Sequence, residues 1–155
     1  FHPLVNLSPY AVFPADHPLA GRHSVGPADL ADHPMVLLDL PFSNDYFISF
    51  FSRAGLRPRI AERTRDMGVM RSMVASGFGY SIANIRPMTD SAPDGGPLRY
   101  VPLHGPVRNL NLGLALMEGA GMALTVRAFL DHATDRLSAD TAPGPYLRPI
   151  NPLAD

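Results

Sequence analysis

With 155 residues, 46% of them hydrophobic, the chain can bury one substantial core, roughly two thirds of its unfolded surface at this size, and no second independent core is expected. Charged residues make up only 17%, the 17 prolines and 13 glycines mark many short elements, and a formal net charge of −1 provides no basic footprint for nucleic acid or an anionic membrane. The absence of cysteine excludes disulfides, thiol nucleophiles and thiolate zinc sites, and no apolar run approaches the ~18 residues of a membrane span.

Leu7 to Phe13 reads as a strand in which Pro9 demands an edge or starting position, and Pro14 stops it. Residues 15–33 are turn-rich, with room for one short helical turn around Pro27 to Ala31. Two similar segments flank this region, Asp16-His17-Pro18 and Asp32-His33-Pro34, and the second opens the apolar run Met35 to Leu38, which fits a strand covered on both faces. Pro41 ends that segment. Ser43 can cap the helix that follows, Asp45 sits in its positive first turn, and Phe47, Ile48, Phe51 and Ala54 recur at helical spacing before Gly55.

Arg59 to Arg63 is expected to be an exposed strand, and Asp66 caps a short helix carrying Met67, Met70, Met73 and Val74, stopped by Gly77. Tyr80 to Ile85 is the next strand, closed by Pro87, and Met88 to Gly96 is a loop by composition. Leu98 to Leu103 reads as a strand limited by Pro102, and Leu112, Leu114 and Leu116 alternate with small or flexible residues as a further strand. A last helix starts at Thr125 with Val126, Phe129, Leu130, Ala133 and Leu137 as its stripe, and residues 138–155 form a loosely attached tail. The alternation of strands and helices predicts parallel α/β architecture with right-handed crossovers, and binding outside the strand ends where loops enter helices.

Two loops satisfy that placement. In Leu40-Pro41-Phe42-Ser43-Asn44-Asp45, free backbone N–H groups with the Ser43 and Asn44 side chains can hold a carboxylate or other small polar group; the plainer reading is that Ser43 caps and Asn44 shapes the turn. Asp45 argues against a strongly anionic ligand, because it already occupies part of the positive helix field. Thr64-Arg65-Asp66-Met67-Gly68 offers a second helix start, with a capped helix as its plainer reading. Phe42 and Met67 are placed to give apolar contact if the two starts share a cleft.

Other constellations lead nowhere chemical. The arginines at 53, 57, 59, 63, 65 and 71 read first as a solvated face and next as a protein-contact surface, since no aromatic residues interleave for base stacking. His17, His23 and His33 do not make a metal motif, and Ala75-Ser76-Gly77-Phe78-Gly79 lacks the residues of a nucleophile elbow or a phosphate fingerprint. No residue is positioned as a catalytic acid or base, so neither enzyme activity nor a cofactor or metal is expected.

Taken together, Tyr10-Ala11-Val12-Phe13 through His17-Pro18-Leu19-Ala20, Asp29 to Val36, Ala54-Gly55-Leu56-Arg57-Pro58, Val74 to Ile82 and Val126-Arg127-Ala128-Phe129-Leu130 resemble the C-terminal effector-binding domain of LysR-type bacterial transcription regulators. The order and spacing of these five stretches carry the likeness. It implies a partial α/β fold of the periplasmic-binding-protein-like type 2 class, spanning residues 1–137. About 14–102 would be a Rossmann-like second lobe, and about 112–137 would return to the first lobe. Phe1 in place of Met leads to the expectation that the chain begins inside a longer product, with the opening of the first lobe and a winged helix-turn-helix lying upstream.

By the same resemblance the effector loop falls at Pro41, Phe42, Ser43 and Asn44, and a second contact loop at Asp66, Met67 and Gly68. The implied partners are a small carboxylate or aromatic effector in an interlobe cleft and a second copy in a homodimer or homotetramer. DNA is reached only through the upstream domain, in the cytoplasm and without a membrane. On this reading the helix from Ser43 to Ala54 contributes to a dimer surface, with plain core or surface packing as the alternative. A transporter's solute-binding protein, which shares the two-lobed fold, is the alternative function.

Overall fold

Short apolar runs bounded by proline and glycine yield short strands. In chain order the computed structural model has β1 (His2–Leu7), β2 (Tyr10–Pro14), α1 (Pro27–Leu30), β3 (Pro34–Leu38), α2 (Ser43–Ser52), β4 (Arg59–Thr64), α3 (Met67–Ala75), β5 (Ser81–Ala83), β6 (Leu98–Pro102), β7 (Leu110–Leu114) and α4 (Leu124–Arg136). The described residues are 1–41, 43–119 and 123–137, so the expected tail at 138–155 lies outside them. The chain divides into two compact units.

The larger unit comprises residues 9–84 and 89–108. Its strand β2 is buried along its whole length and pairs antiparallel with both β5 and β6, while β3 pairs in parallel with β4. Tyr80 joins the two sets. The Val36 N–H donates to the Tyr80 carbonyl at 2.7 Å, and the Tyr80 N–H donates to the Pro34 carbonyl at 2.9 Å. The strand order is therefore β4-β3-β5-β2-β6, a mixed sheet where the alternation of elements predicts a parallel one. The antiparallel half arises because β2 alone runs against the other four strands, pairing antiparallel with β5 on one side and β6 on the other.

The Tyr80 bridge depends on Gly79. Its φ is +148°, and a Cβ there would lie 2.2 Å from the Pro34 carbonyl oxygen. Only a residue without a side chain permits the backbones to approach this closely. Met35, Val36, Leu37 and Leu38 are all buried, as expected for a strand covered on both faces. From α2 the sheet receives Phe47, Phe50 and Phe51 rather than the expected 47, 48, 51 and 54 set. The helix ends at Ser52, so Ala54 falls in the exposed turn beyond it. In α3, Met70 and Val74 are the buried pair.

The two Asp-His-Pro segments meet in space. Phe13 stacks on His17 with ring centroids 4.5 Å apart, and His17 meets the His33 ring nearly edge-on at 4.8 Å. The Leu19 N–H donates to His17 Nδ1 at 3.1 Å, which places the imidazole proton on Nε2. Burial, followed by the neighbouring His33, lowers the His17 pKa, with Asp16 opposing. The pair thus clips the end of β2 to the start of β3.

Among the described residues the smaller unit comprises 1–8, 85–88, 109–119 and 123–137. Of the strand expected from Leu7 to Phe13 the structure forms β2 from Tyr10 onward, since Pro9 has no N–H to carry a ladder through, whereas Leu7 ends β1, a strand over residues 2–7 that the sequence pattern does not announce. Within this unit β1 pairs antiparallel with β7, its register shifting between Pro3 and Val5. In α4, Val126, Leu130 and Leu137 are half-buried and Ala133 is buried, whereas Phe129 is 59% exposed because it sits off that row at 3.6 residues per turn.

Gly79→Ala is expected to cost more than about 2 kcal/mol in chemical denaturation, whereas Gly21→Ala, where nothing lies within 4 Å of an added Cβ, changes stability little. The second expectation concerns pH. Because folding lowers the His17 pKa, the unfolded chain takes the proton more readily, so the contribution is complete above the ordinary value of 6.5 and falls as the solution is acidified through it. His17→Asn keeps an acceptor for Leu19 and should flatten that slope in melts between neutral and acidic pH.

Candidate functional site

The carboxyl ends of β3 and β4 lie side by side. Leu38 pairs with Thr64, the Asp39 N–H continues the ladder by donating to the Thr64 carbonyl at 2.8 Å, and Arg63 reaches the Asp39 carboxylate at 3.4 Å. The chain runs from β3 outward to β4, then back past β3 to β5. Right-handed crossovers in that order send α2 to one face of the sheet and α3 to the other. Neighbouring strands whose helices diverge in this way leave a crevice at their carboxyl ends. Ser43 and Asp66 start their helices at this same sheet edge.

Local contacts differ between the two loops. Pro41 is exposed, and Phe42 lies outside the described residues. Ser43 is the first residue of α2, and both its N–H and its hydroxyl donate to the Leu40 carbonyl, at 3.1 and 3.2 Å. The hydroxyl closes the loop as a donor where a cap would accept, so the expected capping role is corrected. Asn44, expected to shape the turn, instead lies inside the first turn of α2 and accepts from the Asp45 N–H through its side-chain oxygen. The Ser43 N–H and hydroxyl, the Asn44 side-chain oxygen and the Asp45 N–H are thus engaged locally, and a ligand there must compete with or share them.

Asp66 is the N-cap of α3, accepting from the Val69 N–H at 2.9 Å, while its own N–H donates to Thr64 Oγ1 at 3.2 Å. A carboxylate therefore stands at the positive end of α3 as Asp45 does in the first turn of α2, and both oppose a polyanionic ligand. Met67 and Gly68 are half-buried. Asp66 and Gly68 also border an open groove along α3, lined with them by Val69, Ser72, Met73, Ser76, Phe78 and Pro93. The i, i+3, i+4 spacing of Val69, Ser72 and Met73 is a sequence signal for this face.

Two further polar anchors come from outside the expected set. Arg71 donates to the carbonyls of Thr89 and Ser91, tying α3 to the loop after residue 88. The Tyr46 hydroxyl of α2 accepts from Asn84 Nδ2 at 2.9 Å and donates to the Arg108 carbonyl. These partners are 38 and 62 residues away, so no local spacing announces them. Burial raises the Tyr46 pKa, with the Asn84 hydrogen bond opposing. Among the described residues no cluster of three or more His, Asp or Glu could hold a metal ion, and no helix is long and apolar enough to cross a membrane.

Comparison with known proteins adds a family. Residues 1–138 match the model of the LysR substrate binding domain. The transcriptional regulator TtuA of Agrobacterium vitis is 32% identical over 82 residues, 51% of this chain and 27% of that protein. HinK, a LysR family transcriptional regulator from Pseudomonas aeruginosa, aligns with a TM-score of 0.79 at 35% identity, covering 87% of this chain and 47% of HinK. The effector-binding domain of QuiR, solved in complex with shikimate, aligns with a TM-score of 0.71 at 22% identity over 91% of this chain and 66% of that one, a likeness of fold. The aligned stretches thus span about a quarter of TtuA and about half of HinK.

Asp66→Ala removes the acceptor of the Val69 N–H and is expected to lower unfolding stability by about 1 kcal/mol, the usual worth of an N-cap, with Asp66→Asn losing a few tenths at most. Denaturant midpoints at constant m-value provide the measurement.

Proposed function

The chain belongs to the LysR substrate-binding domain family, with the periplasmic-binding-protein-like type 2 α/β fold, and on that premise we propose that it senses a small metabolite for a LysR-type transcription regulator. The observation that carries the reading is the Leu38–Thr64 register, which starts two divergent helices at one sheet edge. The effector occupies that crevice against Pro41, Phe42, Ser43 and Asn44 on one side and Asp66, Met67 and Gly68 on the other. Residues 14–102 form the ligand-holding lobe in this reading, and 112–137 belong to the other.

A small carboxylate or aromatic compound suits the site. Helix-start N–H groups favour one negative charge, and the aspartates at 45 and 66 disfavour several. Shikimate, the ligand bound to QuiR, is a compound of this size and carries one carboxylate. The ligand is bound and released unchanged, without catalysis or cofactor, in keeping with a family of regulatory domains rather than enzymes. Unequal affinity for two arrangements of the regulator then shifts their populations and passes the signal to a winged helix-turn-helix outside this chain, in a cytoplasmic homodimer or homotetramer.

Calorimetric titration of the full-length regulator with shikimate and a panel of other small carboxylates and aromatics tests this. At least one compound should bind and change operator affinity, and Ser43→Ala with Asn44→Ala should weaken that compound tenfold or more, about 1.4 kcal/mol. Silence across the panel in both binding and operator affinity would overturn the sensor reading. Undiminished affinity in the double variant would remove the first loop from the site.

A further inference from the structure

The larger unit is left and re-entered by the chain at Ser8/Pro9, Asn84/Ile85, Met88/Thr89 and Arg108/Asn109. One side chain of α2 stands against three of these crossings on the larger unit's side. The Tyr46 hydroxyl accepts from Asn84 Nδ2 at 2.9 Å and donates to the Arg108 carbonyl, so a donor and an acceptor function are both engaged. Pro9 lines the same small pocket as Tyr46 and Arg108, together with Phe47, Phe50 and Ile82. Asn84 is buried and Tyr46 is half-buried, with the Tyr46 ring edge-on to Phe47 at 5.1 Å. Tyr46 lies in the first turn of α2, three residues after Ser43.

We propose that Tyr46 is a positioning residue whose hydroxyl, held between Asn84 and Arg108, couples the first turn of α2 to the backbone at the chain crossings. The inference rests on the reading of the Ser43 loop as a ligand site, and it names the route by which occupancy of that loop is relayed. A ligand that shifts the first turn of α2 must move the hydroxyl or break one of its two hydrogen bonds. Either event changes the restraint on residues 84 and 108. The phenol ring alone cannot transmit this, because the restraint is made by the hydroxyl.

A double-mutant cycle read by amide hydrogen exchange on the whole chain tests the coupling, comparing wild type, Tyr46→Phe, Asn84→Ala and the double variant. Tyr46→Phe should accelerate exchange at residues 107–110 at least tenfold, relative to the Val12 amide in buried β2 as internal standard. Asn84→Ala should accelerate the α2 amides of Ser49 to Phe51 fivefold or more in the wild-type background and less than 1.5-fold when Tyr46 is already Phe. If Asn84→Ala does not fold, Asn84→Ser takes its place in the same cycle. Equal acceleration in both backgrounds, or none at α2, would overturn the proposal, because a clip that merely packs is additive. No ligand enters the measurement, so its failure rejects the coupling and leaves ligand sensing standing, whereas failed calorimetry does the reverse.

Discussion

The structure depends on one close backbone approach. Where Gly79 passes the Pro34 carbonyl, Tyr80 hydrogen-bonds on both sides of Met35 and fuses a parallel pair of strands to an antiparallel trio. Without that junction β3 and β4 would be a two-stranded ribbon, too small to bury Met35 to Leu38 on both faces. With it, β3 becomes an interior strand, and the helices on either side gain a floor. The junction involves two backbone hydrogen bonds and the absence of a single Cβ.

Everything at the candidate site follows from placing β3 inside the sheet. An interior strand paired in parallel with an edge strand must exchange its chain through helices, and the reversal of direction between the two crossovers opens the crevice. The loops are then tuned by small contacts. Ser43 turns back to Leu40, Asp66 takes the Val69 N–H in the first turn of α3, and Arg63 spans to Asp39 from the neighbouring strand. Asp45 and Asp66 place a carboxylate at the positive start of each helix. Residues 1–138 match the LysR substrate-binding domain family.

Long-range ties hold these loops to the rest of the unit. The His17–His33 contact fastens the entry of β3, Arg71 fastens α3 to the segment after residue 88, and Tyr46 fastens α2 to Asn84 and Arg108. Each tie joins an element bordering the crevice to a segment distant in sequence.

The sequence by itself determined most of the elements from Tyr10 onward, and their order. The uninterrupted apolar run at 35–38 required cover on both faces, Asp66 ahead of a methionine-bearing stripe required a capped helix, and the five spaced stretches pointed to a LysR-type effector domain. Those features are local: they rest on backbone propensity, side-chain periodicity and caps, all of which act within a few residues. Only the tertiary structure decided that the sheet is mixed, that β1 forms over residues 2–7 ahead of Pro9, that Ser43 donates to Leu40, and that Tyr46 reaches Asn84 and Arg108. Strand partners and distant hydrogen bonds are chosen by which surfaces remain to be buried once the core has closed, and that competition leaves no periodic trace along the chain.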